Sequence, residues 1–61
     1  AFYYEKALQI YPEWDEARMN LAVSLYNLGQ VKKASQILVK CQDKGNERYG
    51  VINQSIENSL P

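Results

Sequence analysis

Residues 3–21 read YYEKALQIYPEWDEARMNL: a helical pattern runs up to Pro12, halts, and starts again after Trp14. Before the proline, Tyr4, Ala7, Leu8 and Tyr11 recur at the spacing of one helix face, which predicts a helix over residues 1–11. Pro12 ends it, because proline has no N–H to give and its ring collides with the preceding turn. The same ring pushes Tyr11 out of helical geometry. A second helix is predicted from Asp15, with acids in its first turn, to about Leu28, where Gly29 supplies a permissive helix end. A third runs from Val31 to Lys44 and stops at Gly45; Asn46 is a fitting N-cap for a fourth over residues 47–58. No segment alternates with period two for long enough to make a strand. The expected fold class is therefore all-α: about four helices in antiparallel helix–turn–helix arrangement.

The second helix carries an unusual amount of apolar surface. Leu21, Leu25 and Leu28, joined by Ala22, form one stripe; Met19, Val23 and Tyr26 form another. A two-residue offset is about 200° around a helix, so the stripes lie on nearly opposite sides. A surface helix needs one apolar face. One with two belongs between layers, or between a core and a ligand. The third helix is simpler: Val31, Ala34, Leu38 and Cys41, widened by Ile37, point inward. Lys32, Lys33, Gln36 and Lys40 make its wet side, and Val39 falls outside the pattern.

Composition narrows the function classes. The chain has 61 residues, near the size at which a single core becomes marginal. It starts without methionine and inside a helical pattern, so a fragment of a longer protein is expected. Seven basic and seven acidic side chains cancel, leaving no net field for nucleic acid or anionic lipid. No apolar run approaches the ~18 residues of a membrane span. Cys41 is the only cysteine, which rules out an internal disulfide and favours an intracellular setting. Asn53-Gln54-Ser55 matches a glycosylation acceptor, a pattern common by chance.

Residues suited to chemistry are few. There is no histidine, hence no commonest general base or transition-metal ligand. Cys41 lies on the inward stripe and reads as buried packing. Asp15 and Glu16 diverge by about 100° on a helix, too far to share a reaction centre; matching of the helix dipole accounts for both. The glycines are scattered singly and make no phosphate-binding loop. No catalytic residue, metal site or cofactor is expected. Trp14 reads as a packing residue at a junction rather than a ligand anchor, and Tyr3, Tyr4 and Tyr49 read as core.

Residues 34 apart correspond: Tyr4 with Leu38, Lys6 with Lys40, Ala7 with Cys41, and Pro12 with Asn46. Large apolar falls on large apolar, small on small, breaker on breaker. With "YYEKALQIYP" and "NLAVSLYNLGQVKKA", this period resembles the tetratricopeptide repeat. The resemblance divides the chain into residues 1–12, the second helix of a truncated repeat; residues 15–46, one complete repeat; and residues 47–61, a capping helix or the start of a further repeat, with the cap preferred for its polar outer face. Arg18 and Asn46 depart from the family's tryptophan and proline.

The resemblance implies a non-catalytic scaffold of stacked hairpins whose first helices line a concave groove. On this chain Glu16, Met19, Val23, Tyr26 and Asn27 fall at the groove positions. They describe an apolar groove with polar edges, suited to a peptide, a helix or a partner subunit. The basic clamp that some relatives use for an acidic tail is not matched, since no lysine or arginine lies on this face beside Asn20. A competing reading gives the stripe to contacts with neighbouring helices. Two other expectations are self-association through uncovered repeat ends, with Phe2 and Ile10 exposed, and a non-catalytic arm of a larger enzyme.

Overall fold

The computed structural model describes residues 2–60, with side chains from Tyr3 to Leu60. They form four helices: α1 (Phe2–Ile10), α2 (Asp15–Asn27), α3 (Val31–Leu38) and α4 (Glu47–Ser59). No strand occurs among the described residues. The expectation that Phe2 is uncovered concerns a side chain outside the described ones.

Each connection follows from local chemistry. Between α1 and α2, Pro12 and Glu13 occupy the centre of a turn closed by Trp14 N–H donating to Tyr11 C=O (3.1 Å). Proline's fixed φ suits that position. Helix α2 ends in a Schellman motif: Gly29 is left-handed (φ +82°), its N–H donates to Tyr26 C=O (3.0 Å), and Gln30 N–H reaches back to Leu25 C=O (2.9 Å). The turn sends α3 back antiparallel to α2. Asn46 caps α4, its side-chain oxygen accepting from Tyr49 N–H at 3.1 Å.

Helix α3 is shorter than its sequence pattern predicts, stopping at Leu38 instead of continuing to Lys44. The chain tightens there into i→i+3 bonds, Lys40 N–H to Ile37 C=O (3.3 Å) and Cys41 N–H to Leu38 C=O (3.0 Å). Two tertiary interactions make this ending favourable. The Asp15 carboxylate, from the start of α2, accepts from Gln42 N–H and Asp43 N–H, both at 2.9 Å. The Lys44 ammonium folds back onto the freed carbonyls of Val39 and Cys41. Both compete with further helical bonds.

Helix α2 is the hub. It contacts α1, α3 and α4, whereas among the described residues α1 contacts α2 alone. Its two-sided apolar pattern is accounted for by this central place. Ala22 and Ala34 are fully buried and Leu38, Ile56 and Cys41 almost so. They form one core with Met19, Leu21, Leu25 and Ile52. Tyr4 and Leu8 pack against it from α1, Tyr49 from α4 and Leu60 from the residue after α4.

Some expectations are corrected. Tyr3 is 84% exposed and not part of the core. Tyr11 and Leu28 also lie exposed, beyond the ends of their helices, where the apolar stripes run out into turns.

Candidate interaction surface

The residues at the expected groove positions have distinct environments. Met19 is 5% exposed and belongs to the core. Val23 and Tyr26 are half-buried against it, while Glu16 and Asn27 are exposed. The stripe is thus divided: its inner edge is structural, and its outer edge, from Glu16 through Val23 to Asn27, faces solvent. Asn20, half-buried, lies on this face too.

Helix α4 borders that face. Arg48, at the start of α4, donates to the Asn20 side-chain oxygen, which corrects the expectation that no basic side chain stands beside Asn20: the arginine arrives from α4, not from α2. At the far end the Tyr26 hydroxyl lies 3.0 Å from Ser59 Oγ, which itself donates to Ser55 C=O at 3.0 Å. Early residues meet early and late meet late, so α4 runs parallel to α2. Between these polar ties, Ile52 and Ile56 supply the apolar contact of α4 with the core. Sequence reasoning missed the Asn20–Arg48 and Tyr26–Ser59 ties, since nothing local marks polar pairs separated by about thirty residues.

Among the described residues two titratable groups are perturbed. The N–H groups of Asp43 and then Gln42 hold the Asp15 carboxyl below its ordinary range, aided by the charges of Arg18 and Lys44. Burial pushes the Cys41 thiol up, and the Asp15 charge adds to the rise. Its Sγ donates to Asp15 C=O at 4.0 Å, the geometry of a packed thiol and not of an activated nucleophile. Asp15, expected only to match the helix dipole, is therefore also the tie that fixes the turn after α3.

Among the described residues no group of three or more His, Cys, Asp or Glu side chains could hold a metal ion, and no helix is long and apolar enough to cross a membrane. Asn53 of the glycosylation pattern sits half-buried within α4 and donates to Glu57 at 3.4 Å.

A hub helix paired with α3, followed by a parallel α4, is the succession of stacked hairpins. The tetratricopeptide repeat model matches residues 1–49. The chain belongs to the tetratricopeptide repeat family. No curated protein and no solved structure matches it. Tetratricopeptide repeat domains generally mediate protein–protein interaction and are generally non-catalytic.

Proposed function

We propose that the open face of α2 receives a peptide or helix from a partner protein. Residues 15–46 then form a complete repeat, residues 1–12 the second helix of another, and residues 47–61 a cap lying parallel to α2. The observation that carries this reading is the division of the α2 stripe. Val23 and Tyr26 retain exposed surface above a buried Met19, and Glu16 and Asn27 stand exposed at the two ends. From Glu16 to Asn27 the helix rises about 16 Å, room for about five residues of extended chain or three helical turns. An apolar centre with a carboxylate at one end suits an amphipathic segment carrying a basic residue. Met19 forms the floor beneath the groove and is not itself a contact.

Peptides selected against the chain from a random displayed library give the test, with binding followed by calorimetry. Val23→Glu and Tyr26→Ser should each weaken the selected peptides about tenfold or more while far-UV circular dichroism stays unchanged. Unchanged affinity in both variants, with helicity retained, overturns the assignment of this face.

A further inference from the structure

The polar tie between the late turns of α2 and α4 has a direction. Ser59, in the last turn of α4, bonds the Ser55 C=O four residues back at 3.0 Å, and the Tyr26 hydroxyl lies 3.0 Å from the same Oγ. A carbonyl oxygen can only accept, and a serine hydroxyl carries one proton. That proton goes to Ser55, so Ser59 Oγ accepts and the Tyr26 O–H donates to it. The chain of bonds runs from Tyr26 to Ser59 to Ser55, each bond polarising the next. With its proton committed, the Tyr26 oxygen has only lone pairs left to offer. The Tyr26 ring is half-buried against the core, which fixes where those lone pairs stand.

We propose that Ser59 sets the hydrogen-bond specificity of the open face of α2. By holding the Tyr26 hydroxyl as an acceptor, it makes this end take a side-chain N–H donor from the partner segment and reject a carboxylate. This rests on the peptide-binding reading of that face and adds the chemistry of the partner to it. At the opposite end the exposed Glu16 carboxylate also accepts only. About 15 Å of helix rise separates the two acceptors, with the half-buried Val23 between them. A segment that brings an amide or ammonium group to each end, around an apolar centre, fits both. The donors of this face, the Arg48 guanidinium and the Asn20 amide that it orients, stand on the stretch before Val23. The rejection at Tyr26 is therefore local and is not set by the chain's net charge, which is zero.

A Ser59 that only fastened α4 to α2 would move the affinity of every peptide alike. A Ser59 that fixes the direction of the Tyr26 O–H moves the ratio between donor and acceptor peptides. Ser59→Ala removes the acceptor, so the phenol proton turns outward and a carboxylate becomes acceptable. Ser59→Thr keeps a hydroxyl in place, and the preference with it.

The test uses the peptides selected from the displayed library, made in pairs that carry Gln or Glu at each position in turn. The exchange swaps a donor-bearing amide for a carboxylate of the same shape. Tyr26→Phe, which lacks the oxygen, identifies the facing position as the one whose preference it flattens. There, calorimetry on the wild-type chain should show Glu weaker than Gln about five- to tenfold. In Ser59→Ala the ratio should fall to about two or below, while Ser59→Thr retains it. Ser59 is exposed, so unchanged helicity is expected in both variants. Two results overturn the proposal while Val23→Glu still weakens binding: no position whose preference Tyr26→Phe flattens, or a preference that survives Ser59→Ala undiminished. The peptide-binding reading then stands and the role of Ser59 falls. Peptides indifferent to both Val23→Glu and Tyr26→Ser overturn that reading, and this proposal with it.

Discussion

Replacing Asp15 by alanine removes the one acceptor shared by the N–H groups of Gln42 and Asp43. A hydrogen bond of this kind contributes ~0.5–1.5 kcal/mol net, and both donors lie on exposed residues where water replaces the carboxylate, so the lower half of that range applies. Losing an acid from the first turn of α2 adds ~0.3–1 kcal/mol. The combined cost is about 2 kcal/mol, which in a domain of this size lowers Tm by roughly 8–15 °C. Asp15→Asn should do nearly as badly: one amide oxygen remains to accept, while the NH₂ group faces the second N–H. The dependence on acid follows from the depressed carboxyl. Because the folded state holds this proton less tightly than the unfolded chain, the stabilisation is whole above about pH 4 and drains away as pH falls through the lower folded value. Urea unfolding of wild type and Asp15→Ala, followed by circular dichroism at about pH 7 and about pH 3, should show a gap at neutral pH that narrows in acid. A Tm change under about 2 °C at neutral pH, or a gap that widens in acid, would refute the reasoning.

Other substitutions probe separate parts of the fold. Leu38→Ala, at a side chain 1% exposed, should cost ~2–5 kcal/mol by leaving a cavity, read as a lower urea midpoint at unchanged m-value. Ala34→Leu forces extra methylenes where nothing is exposed and should cost ~1–3 kcal/mol in the same assay. Gly29→Ala meets no atom within 4 Å, so its cost, ~1–2 kcal/mol, is the left-handed backbone alone; a loss near zero would mean the turn had changed its geometry. The Cys41 thiol, buried and raised, should react with an aromatic disulfide reagent only as fast as the chain opens, and at once in concentrated denaturant.

The helices and their partners were legible because the signals were local and agreed. Pro12 and Gly29 mark breaks by their own backbone chemistry, Asn46 announces a cap, and the doubled stripe of α2 announces a helix with neighbours on more than one side. The end of α3 was not legible. Lys40 and Cys41 continue its periodicity, and what stops it is a carboxylate arriving from Asp15. Tyr3 was misjudged for a related reason. A nine-residue helix with aromatics on two faces does not say which face is covered, and among the described residues α1 packs against α2 alone. For the candidate surface, spacing aligned Met19, Val23 and Tyr26 on one stripe, but which of them is buried depends on the tertiary neighbours of α2 and was not legible.

The branching of contacts from α2 has a consequence for damage. Among the described residues α1 leans on one neighbour, α2, so a lesion there reaches the other helices through α2. A lesion in α2 undermines three supports together. Tolerance to sequence drift should therefore be strictest at the trunk, whatever the propensities of the residues exchanged.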